Sequence, residues 1–129
     1  MPLLKFDLIE GRDEQEITAL LDAAHRAVLA AFKVPQRDRY QIVTEHKPYH
    51  FMIQDTGLNI ERTRSLVVLT VVTSPRSTES KQAFYAELTR ELEESCGIAP
   101  SDVIVSIVGN TTADWSFGNG VAQYVTGEL

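Results

Sequence analysis

With 129 residues, 43% of them apolar and 23% charged, the chain suits one soluble globular domain spanning 1–129. Twelve Lys and Arg against eighteen Asp and Glu leave a net charge of −6, which excludes a basic nucleic-acid surface but permits a small anionic ligand held by one or two local arginines. The longest apolar run, LVVLTVV, is far too short to cross a bilayer, and a lone cysteine, Cys96, excludes an intrachain disulfide and fits a cytoplasmic protein.

The chain begins Met-Pro and passes almost at once into LLKFDLI (3–9), which reads as a strand; Lys5 and Asp7 break its apolar run and argue against a signal peptide. Residues 13–32 read as a helix, because Ile17, Leu20, Leu21, Ala24, Val28 and Phe32 keep one face at helical spacing, and Asp13 and Glu14 suit the positive end of its dipole. RYQIVTE (39–45) reads as a second strand. The segment 46–64 carries turn signals at Lys47-Pro48 and Thr56-Gly57, with FMIQ as a short edge strand. SLVVLTVVT (65–73) is a strand, 77–96 a helix with Phe84, Leu88 and Leu92 on one face and Gly97 to end it, and DVIVSIV (102–108) a strand. The remainder, rich in Gly, Asn and Thr, reads as a loop followed by a short terminal hairpin or strand.

A shift of 64 residues superposes the two halves. Leu3 and Leu4 meet Val67 and Val68, Arg12 meets Arg76, Leu20, Ala24 and Val28 meet Phe84, Leu88 and Leu92, and Asp38 meets Asp102. The fold class is therefore α/β (α+β): pseudo-repeats 2–46 and 65–109 form a tandem β-α-β repeat, followed by the extension 110–129. Right-handed crossovers make each strand pair parallel, and the two units share one four-stranded sheet with both helices on one face. LVVLTVV is apolar at nearly every position, so its strand should be buried on both sides, and a single helical layer cannot do that. Further copies of the chain are expected to cover the second face.

Most candidate chemistry has a plain reading. His46 and His50 are four apart, but Pro48 between them prevents a shared helical face, and no carboxylate or cysteine completes a metal set; no metal is expected. His25 reads as a partly exposed helix residue. There is no nucleophile elbow and no phosphate loop, Gly118 and Gly120 read as a turn, and Cys96, near a helix C-terminus, reads as structural. Arg76 follows a buried strand and precedes a helix, where a guanidinium can grip a carboxylate with two parallel bonds. Arg12 occupies the matching place in the first unit, so position does not choose between them. Asp38 and Asp102 each precede a strand, where a turn or cap residue serves equally well. Pro2 differs: removal of Met1 would expose a secondary amine, with a reference pKa somewhat above the value of about 8 for an α-amino group. Such an amine is a base when neutral and a proton donor or local cation when charged.

The Met-Pro start, the two β-α-β units and the arginines after strands resemble the tautomerase superfamily, and within it the malonate semialdehyde decarboxylases. The resemblance runs end to end. It is densest in PLLKFDLIEGR, DRYQ (38–41), DTGL (55–58), PRS (75–77), CGI with PSDVIV, and ADWSFG with TGEL. It implies a homotrimer and a cofactor-free reaction on a small carboxylate-bearing substrate. It also implies Pro2 as a catalytic cation, Asp38 as its acidic partner and Arg76 as the carboxylate grip. Trp115 and Phe117 become an apolar wall, and Thr73 and Tyr124 join them as substrate contacts. One departure stands out: the best-known decarboxylases of this type have R-P-R where this chain has Ser74-Pro75-Arg76, which weighs against the family's hydration side activity. Alternatives are a tautomerase of 2-oxo acids or enols with neutral Pro2 as base, a hydratase or dehalogenase of haloacrylic acids, and a non-catalytic signalling protein, since the superfamily contains a cytokine. A place in the breakdown of three-carbon halogenated compounds is an expectation from the family alone.

Overall fold

The computed structural model describes residues 1–129. Four strands, β1 (Leu3–Ile9), β2 (Tyr40–His46), β3 (Val67–Thr73) and β4 (Val103–Gly109), form one mixed sheet in the order β2-β1-β3-β4. β1 and β2 run parallel across helix α1 (Glu14–Phe32), and β3 and β4 run parallel across helix α2 (Thr78–Cys96). The two units join through the antiparallel pairing of β1 with β3. The tandem repeat expected from the sequence is thus the observed architecture.

Local chemistry sets the helix ends. Asp13 accepts a hydrogen bond from the Glu16 amide at 2.8 Å, and the Glu16 carboxylate accepts from the Asp13 amide at 3.1 Å, a reciprocal cap on the first turn of α1. Ser77 caps α2 by accepting from the Ser80 amide at 3.1 Å. Gly97 ends α2 with φ at 67°, the left-handed conformation that glycine adopts without a Cβ clash.

The core lies between sheet and helices. Leu4, Phe6 and Leu8 of β1 alternate inward with Val67, Leu69 and Val71 of β3, and meet Leu20, Ala24 and Val28 of α1 and Phe84, Leu88 and Leu92 of α2. The ring of Phe84 stacks on that of Phe32 at 4.9 Å. Arg26 binds the two helices together at their outer edge, donating to Glu91 at 2.8 Å and to Ser95 at 2.9 Å. On the opposite sheet face Ile42 and Val108 are 51% and 49% exposed, and Val68, Thr70 and Val72 are only half-buried. Within one chain LVVLTVV is therefore covered on one side alone, because no element of the chain crosses the second face.

Two expected elements are absent. FMIQ is irregular rather than a strand: it follows a 3-10 turn at Pro48–His50, is too short to run back along β2, and Phe51 stacks on the His46 ring at 5.4 Å instead. The C-terminal segment is neither hairpin nor strand. A 3-10 turn at Thr112–Asp114 leads to one helical turn, α3 (Gln123–Thr126). Between them Gly118, Asn119 and Gly120 all have positive φ, which turns the backbone out of any extended path. The Gln123 side chain holds that bend by accepting from the Phe117 amide at 2.9 Å and donating to the Gly118 carbonyl at 2.8 Å.

Phe84 is fully buried against Phe32. Phe84→Ala is expected to cost about 3–5 kcal/mol of stability, and Phe84→Leu clearly less. Denaturation midpoints measure both; equal midpoints for Phe84→Ala and the parent chain would contradict this packing.

Candidate active site

Topology decides which residues meet. Because β1 and β3 are antiparallel, with Leu3 opposite Val72, the start of β1 lies beside the end of β3. β2 is parallel to β1, with Leu3 opposite Tyr40, so Asp38 just before β2 arrives at the same end of the sheet. β4 is parallel to β3, with Thr73 opposite Gly109, so the segment after β4 also begins there. Pro2, Asp38, Arg76 and the 110–129 extension converge at one end. Arg12 and Asp102 go to the other end. There Arg12 donates to the Ser65 carbonyl at 2.6 Å, and buried Asp102 accepts from the Thr63 amide at 2.7 Å.

Pro2 is buried, and its nitrogen is in peptide linkage to Met1, so it carries no hydrogen in this form of the chain. The Met1 ammonium, the charged amine of this form, donates to the Tyr124 hydroxyl at 3.2 Å. Pro2, Leu4, His25, Asp38, Tyr40 and Gln41 surround a tight gap with no room for a water molecule. Asp38 Oδ2 is buried and has no hydrogen-bond partner. Outside the gap, Met1, Pro35, Arg37, Asp38, Tyr40, Phe117 and Leu129 line an open cleft of about 410 Å³.

Arg76 is half-buried and held by three contacts. Its Nε–H donates to Thr73 Oγ1 at 3.2 Å, its Nη1–H donates to the Phe32 carbonyl at 3.3 Å, and its guanidinium lies 4.9 Å over the Phe32 ring. Nη2 makes no bond within the chain and stays free for a ligand. Thr73 itself is almost fully buried, and its hydroxyl accepts the Arg76 Nε–H bond. The aromatic side chains stack in series: Trp115 on Phe117 at 5.3 Å, Phe117 on Tyr40 at 6.0 Å, and Tyr124 edge-on to Phe117 at 5.4 Å. Trp115 Nε1–H is taken by Asn110 Oδ1 at 2.8 Å, leaving its ring to act as surface.

The ionisable groups sense one another. Burial lowers the pKa of the terminal amine, the Asp38 charge opposes this, and the Arg76 charge adds to it. Burial raises the pKa of Asp38, against the pull of the terminal amine, Arg76 and His25. Tyr124 is raised by burial and by Asp38, with Arg76 opposing. Amine, carboxylate, guanidinium and phenol therefore share one electrostatic neighbourhood, dry enough for burial to be the leading influence on the first, second and fourth.

Two neighbours of this site were hidden in the sequence. Tyr40 had only its place two residues after Asp38 to mark it. His25 is not partly exposed as its helical position suggested. It is 7% exposed, because the 33–38 loop folds over it, and its Nε2–H donates to the Gln36 carbonyl at 2.8 Å. The other histidines lie elsewhere: His46 Nε2–H donates to Asp7 Oδ1 at 2.7 Å, and His50 packs on Tyr49.

Two family models, both described as "Tautomerase enzyme", match residues 2–60 and 38–118. A curated relative, "Probable tautomerase YrdN" of Bacillus subtilis (strain 168), is 59% identical over 129 residues, the whole of both chains. A crystal structure of malonate semialdehyde decarboxylase, described with decarboxylase and hydratase activities, superposes at a TM-score of 0.97 with 54% identity, covering 98% of each chain. A second, FG41 malonate semialdehyde decarboxylase inhibited by 3-bromopropiolate, superposes at 0.94 with 42% identity, covering 98% of this chain and 97% of that one.

The raised pKa of Asp38 sets a pH dependence. A carboxyl whose folded pKa lies above its unfolded one favours folding most at low pH and loses that contribution as pH rises through the folded value. In the Met1-bearing chain, Asp38→Asn is therefore expected to unfold at a higher temperature than the parent at neutral pH, with the gap closing as the medium is acidified. Thermal melts across pH measure it; a gap that widens toward low pH contradicts the assignment.

Proposed function

This chain belongs to the tautomerase family, and from that premise we propose that it decarboxylates malonate semialdehyde to acetaldehyde and carbon dioxide, without a cofactor, using the Pro2 nitrogen as a cation. The observation that supports this best is the unpartnered Asp38 Oδ2 beside Pro2 in a gap too tight for water. A buried acceptor left unsatisfied is costly. Removal of Met1 would give Pro2 two N–H donors and a positive charge at the edge of the gap that it shares with Asp38. Asp38 in turn favours the charged amine against the burial that would neutralise it.

The reaction needs a sink for electrons. When the bond between the carboxylate carbon and C2 breaks, its electron pair moves into a double bond between C2 and the aldehyde carbon, and the aldehyde oxygen gains negative charge. The Pro2 ammonium hydrogen-bonds that oxygen and stabilises the enolate as it forms. C2 then takes a proton, from Pro2 or from water, to give acetaldehyde, and solvent restores the donor. Arg76 grips the carboxylate through its free Nη2 edge and fixes the breaking bond perpendicular to the carbonyl plane. The aromatic wall of Tyr40, Phe117 and Trp115 favours a charged group leaving as neutral carbon dioxide. Residue 74 is serine, so the carboxylate meets one guanidinium at this turn rather than two, and hydration or dehalogenation of haloacrylic acids, which demand stronger charge stabilisation, are weaker readings.

A second reading has its own support. The 59% identical relative is called a probable tautomerase, and ketonisation of 2-oxo acid enols requires a neutral base, which burial of the Pro2 nitrogen beside Leu4, Val28 and Tyr40 would favour once Met1 is removed. The protonation state of Pro2 separates the two. A nitrogen titrating well above neutrality by ¹⁵N NMR supports decarboxylation, and one titrating near the slightly acidic range supports the tautomerase.

The bare sheet face, with Ile42 and Val108 half-exposed, is read as the buried surface of a homotrimer. Light scattering should give a particle three times 14.4 kDa; a 14.4 kDa particle rules the assembly out. Pro2→Ala and Arg76→Ala, each with Met1 removed, should release acetaldehyde at least about a hundredfold more slowly than the parent while keeping that particle size. Near-parent activity in Pro2→Ala ends the proposal.

A further inference from the structure

His25 is a buried titratable side chain that the reaction steps do not use. It lines the tight gap together with Pro2, Leu4, Asp38 and Tyr40. From α1 it reaches the Gln36 carbonyl at 2.8 Å, and because a carbonyl only accepts, Nε2 carries the proton. Gln36 belongs to the loop that links α1 to β2 and delivers Asp38. Lys33, Pro35, Gln36 and Arg37 of that loop are exposed, and Val34 alone packs against the core. The turn that closes the loop, from the Asp38 amide to the Pro35 carbonyl at 2.9 Å, is internal to it. Of the hydrogen bonds made by residues 34–38, only the one from His25 ties the loop to another element.

Two penalties oppose each other here. Asp38 Oδ2 is buried without a partner, so an outward swing of the loop would let water solvate the carboxylate. The same swing would strand the buried imidazole N–H without an acceptor. We propose that His25 is a positioning residue of the site: its bond to the Gln36 carbonyl holds the 33–38 loop against α1 and so keeps the Asp38 carboxylate at the gap beside Pro2. Asp38 senses the His25 charge, as expected of two side chains on one gap, and the other charges it senses are the terminal amine and Arg76. Arg39, which also lines the gap, is paired with Asp22 at 2.7 Å. This role rests on Asp38 as the partner of the Pro2 ammonium and is independent of which small acid is turned over.

His25→Leu fills the site without a donor, whereas His25→Gln carries an amide N–H that reaches the same carbonyl. In the chain with Met1 removed and its prolines labelled with ¹⁵N, the Pro2 nitrogen of His25→Leu should titrate about one pH unit below that of the parent, because the charge that favours its cation has moved away. The alkaline limb of kcat/KM for malonate semialdehyde should move down with it. His25→Gln should return both toward the parent. A merely structural histidine lowers the thermal midpoint of His25→Leu and leaves the Pro2 titration in place; that result overturns the assignment, as does a Gln variant that titrates like the Leu variant. If His25→Leu does not fold, His25→Asn, whose shorter amide stops short of Gln36, is titrated in its place against the same criteria. The titration needs no substrate. A parent that releases no acetaldehyde therefore ends the decarboxylase reading by itself, while the Pro2 titration still decides for or against His25.

Discussion

The antiparallel pairing of β1 with β3 is the constraint on which the rest depends. Each β-α-β unit alone would put its strand starts at one end and its strand finishes at the other. Joining two units through antiparallel central strands places the start of one beside the finish of the other. A chain terminus and an aspartate from the first unit thereby meet an arginine from the second. A parallel junction would have separated Pro2 from Arg76 by the length of a strand.

That convergence is costly, and the core offsets it. Three ionisable groups sit where burial opposes or perturbs their charge. What holds them is a chain of ordinary packing. Phe84 of α2 supports the Phe32 ring, and the Phe32 ring lies under the Arg76 guanidinium. Arg76 also donates to the Phe32 carbonyl, one of the unpaired acceptors at the C-terminal end of α1, an end that has no basic residue in its own last turn. The same arginine thus neutralises a helix end and keeps its Nη2 without a partner in the chain.

Much of this was legible in the sequence, for identifiable reasons. The strands and helices carried strong periodicity, and the offset of 64 residues exposed the two units. Pro2, Asp38 and Arg76 stood out as types, yet Arg12 and Asp102 matched them position for position. Only the direction of β3 against β1 separates the pairs, and hydrophobic pattern carries no such sign. Residues 110–129 were harder still: three consecutive left-handed residues and a Gln123 side-chain clamp bend the segment, and neither leaves a periodic trace. The burial of His25 depends on where the 33–38 loop lands, which is a tertiary fact.

Pro2's partner in the repeat is Leu66, buried and bonded into the chain on both sides. Its nitrogen can never become an amine. A polypeptide has one beginning, so two units fused head to tail share a single terminal amine, however symmetrical their backbones. Per gram of protein, such a fusion carries half the terminal amines of its unfused halves, and at the matching corner Arg12 and Asp102 brace loops.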